Sequence, residues 1–495
     1  MRGMVGLKYY VDFSPLTVND ETGRLKMADV LAKRAVGFWG LVFYSLGTVL
    51  PFGIFGLAAI AIRTFTPNAV VDFVFGFLVT LLAASVVYQF SKKITHAGGY
   101  YAFVAAGLGR KTGLISGWLY AAYLIMTLAT GAASIGFLVS VFTHYFFNYV
   151  TPLFVVYVLD ISVCLLMYLV TYYGVQVTTK AAVVVGGLEI ISIIAISTAV
   201  IVLLGKGNTV AAIAPPSISG LHAFFLGFIV GSFESYAGYG GMLTLSEEAK
   251  LPKELVRKAL VVTISLAALS FVLGTYVVEA GWGLQNLKTL VALTAPGYTV
   301  VGKWLGLGVA TYVLLLLLAA QYLSPMMAGS SGSRVLYALA RDGSLPSFFG
   351  HLNAKKAPSR AALFTMIAGI ILIIVFTQPM VAVYGYTDGI FFAVIVMAIM
   401  LTILSMVIHI LSGISMPLYF SRAKKEFSIM LHGVVPIVTI IVFLIALYYS
   451  LNGIGMPFVL APIFVLIFSV IGIIYIFVKE RSAPSVEMKL DYESE

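Results

Sequence analysis

Charge is what this 495-residue chain has least of: Asp, Glu, Lys and Arg together supply 10% of the residues, against 61% hydrophobic ones. With a mean hydropathy of +1.03, that balance excludes a soluble globular domain, which carries about 25% charged residues, and indicates a polytopic membrane protein. Cysteine is almost missing as well. The single one, Cys164, sits in an apolar run, so there is no intrachain disulfide framework and the redox compartment stays open. The N-terminal residues 1 to 36 are mixed polar and charged rather than a basic stretch followed by a short apolar core, so no cleaved signal peptide is expected. Nothing matches GxxxxGK[ST]; "LLGKGNT" near Lys206 has neither the spacing nor a flanking catalytic domain. Also lacking are HExxH, GxSxG and any His, Cys and carboxylate cluster at metal-ligand spacing. These absences argue against ATP-driven pumping and against an enzyme, and no cofactor or metal is expected.

What the chain does have is long apolar runs. A helix needs roughly 20 mostly apolar residues to cross about 30 Å of hydrocarbon, and by that measure twelve spans are expected. Their approximate limits are 37–62, 70–91, 113–143, 152–172, 181–204, 220–245, 258–280, 303–330, 361–378, 390–418, 433–451 and 457–478. The formal net charge of +10 raises the question of nucleic acid, and the placement of the basic residues answers it. Of the 30 Lys and Arg, 26 fall on one side of this span pattern; only Arg63, Lys206, Lys288 and Lys303 fall on the other. Cytoplasmic segments hold the basic excess, so both termini are expected in the cytoplasm of a multi-pass cell-membrane protein, with the lipid bilayer rather than nucleic acid as the large partner.

Two spans are badly built as helices. The first carries Pro51 among Gly47, Gly53 and Gly56 in "GTVLPFGIFG"; the sixth carries Gly238, Gly240 and Gly241 in "SYAGYGGML". An interior proline costs a helix on the order of 3 kcal/mol. Freed backbone groups at membrane depth are tolerated only where they line protein or a watery cavity. Glycines in membrane helices also serve close helix packing, but two clusters five spans apart point to discontinuous helices in an inverted-repeat secondary transporter. The expected fold is therefore all-α and membrane-integral, organised as a cytoplasmic segment 1–36, a first repeat 37–204 (spans 1–5), a second repeat 220–418 (spans 6–10), spans 11–12 at 433–478 and a cytoplasmic tail 479–495.

Four motifs then carry a resemblance. "GTVLPFGIF", "HAGGYYAFVAAGLGRKTGLISGW", "GYGGMLTLSEEAKLPKELVRKAL" and "GSRVLYALARDGSLP" are similar to the span 1 pattern, the segment between spans 2 and 3, the end of span 6 with its following loop, and the cytoplasmic end of span 8 in the amino acid, polyamine and organocation (APC) superfamily. The likeness covers about residues 35 to 420. It implies the leucine-transporter-type fold, a 5+5 inverted repeat with helices 1 and 6 broken, and a small amine or amino acid bound between them near the midplane. Carried over by position, Phe52, Gly53 and Ile54 would contact the carboxylate, Thr48 and Val49 would line the site, the carbonyls near Ala237 and Gly238 would receive the amino group, and Tyr239 would close over it. There are departures: Pro51 replaces the first glycine of the family's GxG and removes one amide donor, and Gly240 stands where many members have a glutamate. Helix termini suit such a substrate physically, amide N–H groups facing a carboxylate and carbonyls an ammonium.

Ionisable groups at membrane depth invite a functional reading. Glu234, one turn before Gly238, is read as a counter-charge for a cationic substrate or as a proton acceptor, against a carboxylate satisfied by neighbouring hydroxyls. Glu189 in span 5 is read as an ion-coupling residue, with Ser324 in span 8 facing the same place; structural hydrogen bonding is the competing reading. Asp160 and Glu279 read as packing or interfacial residues, and His409 as a helical histidine that titrates near neutrality or is simply hydrogen-bonded. The loop carrying Glu247 and Glu248 is expected to pair with "ARDGSLP", which carries Arg341, as an inward gate, against a merely solvated connector. The function expected is secondary active transport of amino acids by alternating access, coupled to a proton or sodium ion, as symport or exchange. A cationic amino acid or polyamine transporter is the alternative, and a solute channel the reading from another class.

Overall fold

The computed structural model describes residues 17–19, 25–27, 30–49, 51–55, 69–214, 224, 232–291, 293, 295–422 and 426–482. A short antiparallel hairpin, β1 (Thr17–Asn19) and β2 (Leu25–Met27), precedes the helices. The apolar runs then become α1 (Phe38–Val49), α2 (Ala69–Phe90), α3 (Tyr100–Leu108), α4 (Arg110–Phe147), α5 (Leu153–Tyr172) and α6 (Val175–Leu204). The second half contains α7 (Glu234–Ala237), α8 (Pro252–Trp282), α9 (Leu287–Val291), α10 (Pro296–Leu305), α11 (Leu307–Arg341), α12 (Ser359–Tyr384), α13 (Tyr386–Arg422), α14 (Val435–Leu451) and α15 (Leu460–Ser482).

Among the described residues, eleven helical stretches are long and apolar enough to cross a membrane. The sixth expected span, 220–245, lies partly outside the described residues. Span 8 differs from its expected limits. Gly306, at φ +86°, separates the short α10 from α11, and α11 then runs on to Arg341 rather than stopping near 330. The consequence falls on Arg334, which the span pattern places in a loop with the other basic residues; it lies inside α11 and is completely buried. The small residues Gly329, Ser330, Ser331, Gly332 and Ser333 let neighbouring helices close in on α11 there, a methyl on Gly329 standing 2.8 Å from Met167.

Burial sorts the helices into layers. The most apolar windows of α4 and α13 are 72% and 67% buried, whereas those of α5, α12 and α14 are each 28% buried and that of α15 is 22% buried. Long α4 is thus the central post, packed against α3, α11 and α13, while α14 and α15 stand at the periphery with faces suited to lipid. The short α3 packs across α4 and α13, turning into α4 at Gly109, whose φ of +88° a side chain would resist. α1 is enclosed by α6, α8, α11 and the stretch after α7.

Both suspect spans depart from α-helix. α1 ends at Val49 and the chain continues as a 3-10 helix, Pro51–Phe55. After the single turn of α7, residues Gly238–Glu248 form a 3-10 helix of 11 residues. Such runs rarely exceed 3–4 residues and mark strain or a hinge.

Candidate functional site at the two helix breaks

The interrupted segments meet backbone to backbone. A methyl group on Gly238 would lie 2.6 Å from the carbonyl carbon of Thr48 and 2.7 Å from the amide nitrogen of Val49. No side chain fits between them. Hydrogen bonds tie the same junction: the Met242 N–H donates to Ser45 Oγ at 2.8 Å. Ser324 on α11 donates to the Thr48 carbonyl at 3.3 Å, meeting one of the acceptors that the end of α1 leaves without an intrahelical partner.

Beside this junction lies a small hollow lined by Thr48, Ala237, Gly238, Gly240 and Gly241 from the breaks, Tyr100 from α3, Tyr120, Tyr123 and Leu124 from α4, and Ser405, Ile408 and His409 from α13. It offers about 10 Å³ to the centre of a water-sized sphere, roughly the room of one water. As described, it is too small for an amino acid. Among the described residues, none of the lining side chains is charged.

Thr48, Ala237 and Gly238 of the expected site therefore line the hollow, while the others are placed differently. Val49 is buried and stands at the contact with Gly238. Ile54 is fully buried, and its Cγ2 atom fills the notch left by Gly274 of α8, 2.4 Å from where a Cβ would stand. Gly53 is half-buried in the same 3-10 turn. Tyr239 backs the hollow, its hydroxyl 2.8 Å from His409 Nε2. The side chains of Phe52 and Glu234 lie outside the described residues. Glu189 is buried on α6, which packs along α1; Ser324 is engaged by Thr48.

Sequence reasoning missed Tyr100, Tyr120, Tyr123 and Ser405. For Tyr100 a signal existed in its position directly after "AGG"; for the α4 and α13 residues there was none, because nothing local says which helical face turns inward. Asp160 and Glu279 have the packing roles expected of them: Asp160 Oδ1 accepts the Gly136 N–H at 2.9 Å, and Glu279 Oε1 accepts the Ala69 N–H at the start of α2, also at 2.9 Å.

Toward the end of the bundle where α11 terminates, polar layers follow one another. Tyr44 donates to the Met327 carbonyl at 2.9 Å and lies 3.0 Å from Ser331 Oγ, which also receives Thr244 Oγ1 at 3.1 Å. Next, Glu248 pairs with Arg334, not with Arg341: Arg334 Nε reaches Glu248 Oε2 at 2.6 Å, and Nη1 donates to the Ser330 carbonyl and hydroxyl at 3.0 and 2.7 Å. The Glu248 carbonyl accepts the amides of Ala35 and Val36 at 2.8 and 3.0 Å, fastening the chain ahead of α1. Outermost, Arg341 grips Glu247 with two hydrogen bonds of 2.7 and 2.8 Å. Glu247 Oε1 accepts the Ala97 N–H at 2.8 Å, and His96 Nε2 lies 3.2 Å from Asp342 Oδ2. Burial pushes the Glu247 carboxyl up, but the hydrogen bonds and charge of Arg341 outweigh it and hold the group below its usual range. Asp342 is lowered likewise, with His96 and Arg341 overcoming burial.

A helical membrane bundle in which α1 and α7 give way to 3-10 segments beside a small hollow, whose described lining carries no charge, fits a solute transporter. The chain belongs to the amino acid permease family, whose model matches residues 40–488. It is 24% identical over 357 residues to a branched-chain amino acid permease of Lactococcus lactis, covering 66% of this chain and 72% of that protein. An uncharacterized amino acid permease of Bacillus subtilis is 22% identical, with 67% and 74% covered. Human cationic amino acid transporter 4 is 23% identical, with 65% of this chain and 52% of the human protein covered.

Proposed function

We propose that this protein is a secondary active transporter of amino acids that works by alternating access and is coupled to a proton or another cation. The observation that carries the reading is the close approach of Gly238 to the Thr48–Val49 backbone beside a small hollow: the ends of two broken helices offer peptide dipoles to a small zwitterion. In this reading residues 37–204 and 220–418 are the inverted repeats, and the basic-rich end, with both termini, faces the cytoplasm. The carbonyls near Ala237 and Gly238 take the ammonium; amides of Phe52, Gly53 and Ile54 take the carboxylate; Val49 holds the junction, and Tyr239 shuts the site. Glu234 and Glu189 are the candidate coupling carboxylates, with Ser324 reporting on the end of α1. Glu247, Glu248 and Arg341, joined by Arg334, form the cytoplasmic gate. One proton moving down 100 mV supplies about 2.3 kcal/mol.

A neutral side chain on the substrate suits the uncharged lining better than a cationic one, and the resemblance to a branched-chain amino acid permease points the same way. A cationic amino acid or polyamine is the second reading, favoured by Glu234 one turn before Gly238. Reconstituted protein assayed for counterflow across the twenty amino acids and the common polyamines, with and without a proton or sodium gradient, tests both. Saturable uptake with counterflow of an amino acid is expected. Uptake that neither saturates nor exchanges would replace the transporter with a channel.

A further inference from the structure

Resting on the amino acid reading of the same hollow, we infer that Tyr100, Tyr239 and His409 form a specificity wall that turns away side chains bearing a carboxylate. The proton positions follow from the geometry. His409 Nδ1 lies 2.7 Å from the Ser405 carbonyl, which can only accept, so Nδ1 carries the hydrogen and Nε2 of the neutral ring is left as an acceptor. Nε2 is 2.8 Å from the Tyr239 hydroxyl and 3.2 Å from that of Tyr100, and the two hydroxyls are 3.3 Å apart. Tyr239 donates to Nε2, and Tyr100 donates either to Tyr239 or to the same nitrogen. Every proton of the triad is thus consumed, the Nδ1 hydrogen by the Ser405 carbonyl and the hydroxyl hydrogens within the triad. What the triad still offers toward the hollow, where Tyr100 and His409 are lining residues, is hydroxyl lone pairs and no free donor.

The triad is also rigid. All three residues are buried, and the imidazole is wedged between the rings of Tyr100, Phe233, Tyr239 and Phe443, whose centroids lie 5.2 to 6.0 Å away. Ser405 is fixed because its accepting atom belongs to the α13 backbone. A substrate carboxylate brought here would meet acceptors, with no cation among the described lining residues to offset its lost hydration. Elsewhere in the lining Tyr120, Tyr123 and Ser405 carry hydroxyls that can donate, but they lie outside the triad and bring no charge. A site built to satisfy one hydrogen-bonding sense rejects an isostere of the opposite sense strongly.

The isosteric pairs asparagine/aspartate and glutamine/glutamate test this directly, as competitors against radiolabelled uptake of the best wild-type substrate in proteoliposomes. In the wild type each amide is expected to compete at least tenfold better than its acid. His409→Gln, which places amide N–H donors at the wall, is expected to narrow that ratio several-fold, whereas Tyr239→Phe, which leaves Nε2 an acceptor served by Tyr100 alone, keeps it. His409→Asn repeats the measurement should the glutamine variant not fold. Equal competition by acid and amide in the wild type, or an unchanged ratio in a folded glutamine or asparagine variant, overturns the inference alone. Absence of uptake of any amino acid by the wild type overturns the transport reading and the inference with it.

Discussion

At the scale of single residues, the chemistry that reads most plainly is the ion pairing beyond the hollow. Glu247 has a carboxyl held below its ordinary value of 4.5, and Asp342 one held below 3.8. A group whose pKa is lowered by folding contributes stability that is complete above its unfolded value and is lost as the pH falls through the folded one. The closed outer layer is therefore intact at neutral pH and through pH 5, and weakens only below the usual carboxylate range. Glu247→Gln removes two charge-assisted hydrogen bonds, each worth about 1.5–3 kcal/mol at most in a partly wet site. The variant is expected to unfold at lower temperature at pH 7 and to show a shallower further loss on acidification to pH 3 than the wild type. Thermal unfolding in detergent, followed across that range, measures both; parallel acid profiles would remove Glu247 from the layer. Arg334 follows a different logic. Fully buried, it is held by Glu248, Ser330 and the desolvated core, and a buried ion pair specifies geometry more than it stabilises.

At the scale of elements, the decisive feature is that α1 and α7 stop where they do. Gly238→Ala puts a methyl carbon 2.6 Å from the Thr48 carbonyl carbon. The obstacle is backbone, so the junction itself must open, at a cost of about 1–3 kcal/mol for overpacking. Uptake is expected to fall at least tenfold while the protein still folds and inserts. Gly187→Ala on α6 is the control: nothing lies within 4 Å of its Cβ, and uptake should be unchanged. These breaks were legible in the sequence because they are local chemistry. Pro51 lacks an amide and Gly238, Gly240 and Gly241 lack side chains, whatever surrounds them. The Glu247–Arg341 ion pair was legible too, since both residues sit in polar segments at the ends of apolar runs. Pairings set only by packing were not. Glu248, expected among the loop residues facing "ARDGSLP", is found with Arg334, 86 residues away, because α11 continues past its most apolar part and carries that arginine into the interior. Likewise His409 could be singled out as ionisable, but its union with Tyr100, 309 residues distant, depends on how α3 and α13 are rotated, which no periodicity records.

At the scale of the whole molecule, three successive polar layers lie toward the end of α11: Tyr44 with Ser331 and Thr244, then Glu248 with Arg334, then Glu247 with Arg341. In the proposed proton-coupled reading these would have to open in turn without spending more free energy than the gradient supplies, and a proton at 100 mV brings only about 2.3 kcal/mol. The layers must then be traded against equivalent closure at the opposite end rather than simply broken, since only a difference in stability between two states shifts their populations. The chain offers a clean way to see this. Its single native cysteine, Cys164, is completely buried, so Thr48→Cys installs one reportable thiol in the lining of the hollow. In vesicles, a membrane-impermeant thiol reagent is expected to label it slowly from either face when the gate is intact. Adding Arg341→Gln removes the outermost layer, and labelling should then quicken several-fold from the face that carries the 246–257 loop and slow from the other, because the same population that opens one end closes the other. If labelling quickens from both faces, the variant has loosened the bundle rather than shifted it between states. If neither rate changes, the polar layers are structural cement and the barrier to the hollow lies elsewhere.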